Sequence, residues 1–352
     1  MKTIILLGAG AMIPFGGPST KELTDLILCN KFCTRISECL VDKFQEQVNF
    51  ESILACVEQL LEWKMVHEYY SDELISNELL EPAFLYKFSI TAKDLHDIFC
   101  DAIDNIIERI RQYDLYESNE DVIKYNKSNL TEFLLKVYND SELKVYTLNY
   151  DRLIPKLFKD KDFVYEGTYN SVYEYNYEKF LNRHFTYFNL HGSIYLDCIN
   201  KFIVQFTDIP TNLRKNNLLQ GGNPGEMKFF SPIITGYNKS QRALSVPFNF
   251  GFGAFMYDCN TCDRLLIIGY SFNDPHINSI LKSFVDFKKT KIDIIDYSDD
   301  LSFPNSIPLK NIGVVSGNFT EKESGLFYNK EQNIHLYTKG LSVFLREGFP
   351  FL

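Results

Sequence analysis

At 352 residues and 45% hydrophobic content, the chain can bury one large α/β core or a core with a sizeable insertion. A formal charge of −10, with no cluster of Lys or Arg, argues against a nucleic-acid surface as the main partner. No apolar run approaches the ~18 residues of a membrane span. The N-terminus lacks the basic region and cleavage site of a signal peptide. The eight scattered cysteines read as reduced thiols, so a cytoplasmic protein is expected.

Taken in order, Ile4 to Leu7 form a continuous apolar run, as a strand buried on both faces requires. Gly8-Ala9-Gly10 then supplies the small residues of a tight turn that lets backbone approach a phosphate. Gly16-Gly17-Pro18 leads to Ser19, three residues before Glu22, like a capping box opening a helix over 21–28. Strand, glycine turn and helix N-terminus together suit a pyrophosphate. The ordinary G-x-G-x-x-G fingerprint is not met, because Ile13 stands where its third glycine belongs. Alone, the turn is weak evidence, since a tight strand-to-helix corner without a ligand is the lesser but standing alternative.

Residues 20–40 read as a helix, Phe50 to Leu61 carries apolar residues at helical spacing, and Ala92 to Gln112 does the same. A shorter helix is expected over 130–138. These place a helical insertion at 40–140, between residues 1–39 and 141–352 of a Rossmann-like domain. Strands follow at 143–148, 185–190, 264–268 and 291–295, ending in Asn149-Tyr150-Asp151, His191-Gly192-Ser193, Gly269-Tyr270-Ser271 and Asp296. Residues 200–255 read as irregular, and their Gly-rich run at 221–225 as part of a functional loop or lid. The last part, 310–352, offers a strand or two and a closing helix near 340–346. The expected fold is α/β, a doubly wound parallel sheet whose strand ends gather along one ligand-binding rim.

Cys259-x-x-Cys262 has no second ligand pair, so no zinc is expected there. Asn273-Asp274-Pro275 reads as a helix start, with capping favoured over a catalytic role for Asp274, and with His276 in the first turn, near the rim but not catalytic. His67, His96, His184 and His335 read as packing or surface residues.

Read together, GAG at 8–10, GGPST at 16–20, NFESIL at 49–54, TLNYD at 147–151, NLHGS at 189–193 and IIGYSFNDPHI at 267–277 resemble the Sir2 (sirtuin-like) family. They are most similar to its bacterial SIR2-like branch of NAD-consuming anti-phage effectors. The resemblance implies that Gly8, Ala9 and Gly10 line the pyrophosphate of NAD+, that Asn149 contacts the nicotinamide ribose, and that His191 is the catalytic histidine. It further implies that Gly269 and Ser271 contact phosphate and ribose, that Asp296 holds the adenosine ribose, and that Asp151 supports the Asn149 loop.

Departures from the family pattern are informative. The four-cysteine zinc module of protein-deacetylating sirtuins is absent after the HG motif, Met12 replaces the serine that often follows GAG, and the arginine of the G-I-P-x-F-R run has no counterpart. These departures favour an NAD+ glycohydrolase over an NAD-dependent protein deacylase. The retained Asn149 and His191 count against a module that only senses nucleotide. The chemistry suits the residues: nicotinamide leaves as a neutral molecule from an oxocarbenium-like transition state, so a positioned nucleophile and a base are needed rather than an acid. NAD+ is then substrate, with no metal. No separate sensor domain fits in the chain, so control is expected from homo-oligomerisation through the insertion, or from a partner such as an ATPase or an Argonaute-like protein.

Overall fold

The computed structural model describes residues 1–44, 48–69, 90–115, 120–158, 163–166, 176–199, 202–206, 208–210, 231–235, 239, 243–298, 307–314 and 319–350. The chain divides into two compact units: Met1–Ser19, Ile110–Ser193 and Ala243–Leu352 make the first, Thr20–Arg109 and Ile194–Arg242 the second.

The first unit is built on β1 (Lys2–Leu7), the strand that the opening apolar run predicts. Ile4, Ile5 and Leu6 have no exposed surface, and burying each such side chain contributes about 1.5–3 kcal/mol. Hydrophobicity on both faces puts β1 at the centre of a sheet. It pairs in parallel with β2 (Glu142–Thr147) on one side and β7 (Arg264–Ile268) on the other. Beyond β2 lie β4 (Phe185–Asn189) and the short β3 (Val164–Tyr165); beyond β7 lie β8 (Lys291–Ile295) and β11 (Ile334–Tyr337). All these pairings are parallel. Two antiparallel strands, β10 (Leu326–Asn329) and β9 (Thr320–Glu323), complete a nine-stranded sheet in the order β3-β4-β2-β1-β7-β8-β11-β10-β9. The doubly wound α/β fold expected from the sequence is therefore present. Strand order reverses between β1 and β7, and such a reversal opens a crevice at the carboxyl ends of the two strands.

Helices cover this sheet, among them the short α7 (Tyr177–Asn182), whose Phe180 packs edge-on against Phe188. α5 (Asp121–Asp140) runs much longer than the 130–138 segment expected, because its first turns are polar and its buried apolar stripe begins only at Leu130. Phe133 packs edge-on against Phe344 at 5.7 Å, joining α5 to α10 (Leu341–Arg346). α8 (Phe248–Thr261) begins inside the stretch expected to be irregular. Its glycines disguise a helix that lies close to the sheet, where a Cβ on Gly251 would fall 2.0 Å from the Phe188 ring. The Gly-rich run at 221–225 lies outside the described residues.

The second unit holds α1 (Thr20–Ile27), α2 (Lys31–Phe44), α3 (Phe50–Tyr69), the larger part of α4 (Ala92–Leu115), and the hairpin β5 (Leu196–Ile199)–β6 (Phe202–Gln205). The single helix expected over 20–40 is two, with Asn30 starting the second by accepting from the Phe32 N–H. α3 and α4 each open on a reciprocal cap. Asn49 and Ser52 exchange backbone-to-side-chain bonds of 3.0 Å, and Thr91 and Asp94 do likewise at 2.9 and 3.1 Å.

At the strand reversal the turns after β1 and β7 meet backbone to backbone. The Gly8 N–H donates to the Ile268 carbonyl at 2.9 Å, and the Gly10 N–H to the Gly269 carbonyl at 3.0 Å. Gly269 has φ +60, and a Cβ there would lie 2.1 Å from the Ala11 nitrogen. Gly269→Ala is therefore expected to cost at least ~2 kcal/mol, from left-handed strain plus overpacking. Gly313→Ala is the control, with φ +83 but nothing within 4 Å of its added methyl. Urea denaturation should rank Gly269→Ala well below Gly313→Ala; equal losses would mean that the close approach is not a constraint.

Candidate active site

Every residue nominated from the sequence falls in the first unit, at the carboxyl ends of β1, β2, β4, β7 and β8. Gly8, Ala9 and Gly10 follow β1 and enter two consecutive 3₁₀ turns, Ala9–Ala11 and Ile13–Phe15. The helix expected over 21–28 follows them as Thr20–Ile27.

Asn149 follows β2. Its side-chain Nδ2 donates to the Gly8 carbonyl at 2.9 Å, and its backbone N–H donates to Thr147 Oγ1 at 3.0 Å. The amide is thus tied to the glycine turn by one N–H, while its Oδ1 accepts no hydrogen bond among the described residues. The loop's carbonyls are held in turn. Asn189 Nδ2 donates to those of Asn149 and Asp151 at 2.8 and 2.9 Å, the Tyr187 hydroxyl to that of Asp151 at 3.0 Å, and Ser193 Oγ to that of Tyr150 at 3.0 Å. Asn189 and Tyr187 were not nominated. The neighbouring motif letters concealed a supporting asparagine one strand away.

Asp151 is buried beneath this loop, and its carboxylate accepts the Leu153 N–H at 2.9 Å. Burial, reinforced by the Asp114 carboxylate, pushes its pKa up to about 6; the Tyr113 hydroxyl and the Leu153 N–H pull the other way. Asp114 accepts from the Arg152 N–H at 3.2 Å and from Lys156 Nζ at 2.6 Å. Arg152 forms an ion pair with Glu166. These contacts fix α6 (Leu153–Leu157). Tyr113, whose hydroxyl bonds the Asp151 carboxylate, is buried with it.

His191 follows β4 and is 2% exposed. Its Nε2 lies 2.9 Å from Nε2 of His276, in the first turn of α9 (Pro275–Phe284). A contact of this length needs one ring to donate and the other to accept. Phe252 stands edge-on to His276 at 5.6 Å. Asp274 occupies the N-cap position of α9, yet its side chain makes no capping bond. One ligand atom each from His191, Asp274 and His276 lies within 4.8 Å of the others. Asp274 thus holds the expected N-cap position without the expected side-chain cap, and His276 stands in the first turn as expected and also faces His191. A local reading of Asn273-Asp274-Pro275 carries no information about a histidine 85 positions earlier in the chain.

The Gly269-Tyr270-Ser271-Phe272 turn is clamped from beneath. Phe272 is buried at φ +56, and its carbonyl accepts from Asn278 Nδ2 at 2.7 Å and Asn311 Nδ2 at 2.9 Å. Ser271 is exposed on the outer side. Asp296 closes β8 half-buried, its Oδ1 accepting the Tyr297 N–H at 2.8 Å, and burial lifts its pKa to about 6. Cys259 and Cys262 are buried at the end of α8; desolvation holds the Cys259 thiol well above its ordinary range and puts that of Cys262 at about 11. Neutral thiols are poor metal ligands.

Residues 143–307 match the family model for the SIR2-like domain. The matched SIR2-like segment runs from β2 past β8 and carries Asn149, Asp151, His191, Gly269, Ser271 and Asp296; the Gly8 turn lies before it. It supports the sirtuin-like family that the motifs suggest. No curated protein matches the chain. Among solved structures, two mutants of a Sir2 homologue in complex with ADP-ribose align at 14% identity with TM-scores of 0.42 and 0.41, each alignment covering 100% of this chain and 94% of the other. A structure from work on the mechanism and regulation of Sir2 enzymes aligns at 12% identity and a TM-score of 0.33, covering 88% and 91%. These scores are too low to bear on function.

The buried Asp151 carries a pH signature. Its folded pKa of about 6 exceeds the ~3.9 of an unfolded aspartate, so the folded state holds the proton more tightly. The resulting stability is present below pH ~4 and is lost as pH rises through ~6. Asp151→Asn keeps an acceptor for the Leu153 N–H and removes the charge. Thermal melts should show the variant gaining on the parent at pH 8, by at most ~3 kcal/mol, with the gain fading towards pH 4. A pH-independent difference would mean that Asp151 is not the titrating group.

Proposed function

We propose that the chain is an NAD+ glycohydrolase that breaks the bond between nicotinamide and ribose. The observation that carries this reading is the pairing of Asn149 with the glycine turn, its amide bonded to the Gly8 carbonyl, beside buried His191 on the adjacent strand end. NAD+ is placed with its pyrophosphate at Gly8, Ala9 and Gly10, with Gly269 and Ser271 on the phosphate and ribose and Asp296 on the adenosine ribose hydroxyls. Asn149 Oδ1 positions a water or a ribose hydroxyl at the anomeric carbon. As the carbon–nitrogen bond breaks, its electron pair stays with nicotinamide, which departs neutral. The attacking oxygen gives its proton to His191, with His276 as the next acceptor through the 2.9 Å contact. For water the balance is NAD+ plus water giving ADP-ribose, nicotinamide and a proton.

A protein deacylase needs an acyl-lysine cleft, which in the sirtuins is built with a four-cysteine zinc module. After His191 this sequence has only Cys198, Cys259 and Cys262. A small acceptor fits better. We further read the protein as a cytoplasmic effector of anti-phage defence that depletes NAD+. The helical insertion serves self-association, or control by a partner such as an ATPase or an Argonaute-like protein.

Chromatographic separation of products tests the reading, with purified protein incubated with NAD+ alone and with candidate partners. Nicotinamide should appear without any acetyl-lysine peptide, and Asn149→Ala and His191→Ala should each lower its release by at least ~10²-fold while remaining folded. Turnover that requires the peptide, with deacetylated product matching nicotinamide mole for mole, would make the chain a deacylase. Full activity in either variant would remove that residue from the mechanism.

A further inference from the structure

We propose that His191, Asp274 and His276 form a site for a divalent transition metal, zinc above all, and that the metal stops the reaction instead of assisting it. Two imidazole nitrogens 2.9 Å apart and a carboxylate oxygen within 4.8 Å of both make a two-histidine, one-carboxylate donor set. Zinc takes such ligands at about 2.0–2.2 Å, so two of them on a tetrahedral ion stand roughly 3.3 Å apart. The rings therefore need to separate by a few tenths of an ångström and the carboxylate to swing inward.

Imidazole and carboxylate together suit zinc, iron, nickel and copper, while magnesium and calcium prefer all-oxygen sites. The metal replaces the proton that the two rings share. With Nε2 on the ion, the neutral His191 ring carries its proton on Nδ1, so neither nitrogen can accept one from the attacking oxygen. Metal binding stands independently of the enzymatic reading, whereas its stopping role rests on it.

Isothermal titration of zinc chloride into the chelator-treated full-length protein tests the site. About one zinc per chain should bind, at least ~10-fold more weakly in His276→Gln and in Asp274→Asn, by analogy with losses seen around metal sites. Circular dichroism checks that both variants fold. Cobalt(II) in place of zinc should give ligand-field bands without a sulfur-to-metal charge-transfer band, which separates this site from Cys259 and Cys262. In the NAD+ assay, zinc should suppress nicotinamide release and a chelator restore it, with Asp274→Asn resisting at least ~10-fold more zinc. Absence of saturable binding, equal affinity in both variants, or a thiolate band would overturn the site. Zinc bound as described with undiminished turnover would overturn the stopping role. Failure of the metal-free protein to turn over NAD+ under any condition would instead count against the glycohydrolase, with the binding result still deciding the site.

Discussion

The sheet depends on two turns that touch without side chains between them. Gly8, Gly10 and Gly269 bring the ends of β1 and β7 so close that a methyl group on Gly8 would meet the Gly269 carbonyl oxygen at 2.4 Å. The glycines therefore answer first to each other. The crevice at the strand reversal exists because the two chains can approach this closely, and the polar residues of the neighbouring strand ends are aimed by it. Asn149 is fixed to this contact directly, since its amide bonds the Gly8 carbonyl.

Beneath the rim the structure spends much of its buried polarity on holding loops. Asn189, Tyr187 and Ser193 occupy the carbonyls of residues 149–151, and Asn278 with Asn311 does the same for Phe272. Each bond contributes about 0.5–1.5 kcal/mol net, but leaving such a carbonyl buried and unmet would cost more. The loops are consequently held from below, which suits the orienting role proposed for Asn149. Asp151 is the exception, a carboxylate left with little compensation for burial.

The strands were legible because parallel strands buried on both faces read as unbroken apolar runs, and Arg264–Ile268 and Lys291–Ile295 appear with the limits that pattern suggests. The polar letters after each run were legible for the same reason. What could not be read was anything fixed by three-dimensional neighbourhood. His276 owes its place to α9 swinging back towards β4, and nothing local to Pro275 reports that. Helix α8 was hidden by Gly251 and Gly253, which count against a helix by propensity although Gly251 is required by the Phe188 ring. The limits of α5 were missed because its first turns are polar and its stripe begins late.

The place of β1 has a consequence for how the protein is made. Its two hydrogen-bonded neighbours are β2, about 140 residues downstream, and β7, about 260 downstream, and pairings this distant are slow to form. On the ribosome the first strand waits unpartnered on one edge until just over three quarters of the chain has emerged. His276, the last of the clustered side chains to be synthesised, follows only eight residues after that edge is closed at Ile268. A nascent or truncated chain thus holds the glycine turn and His191 without the strand that shapes the one or the ring that faces the other. Completion of the central sheet and completion of the histidine pair are a single late event in biosynthesis.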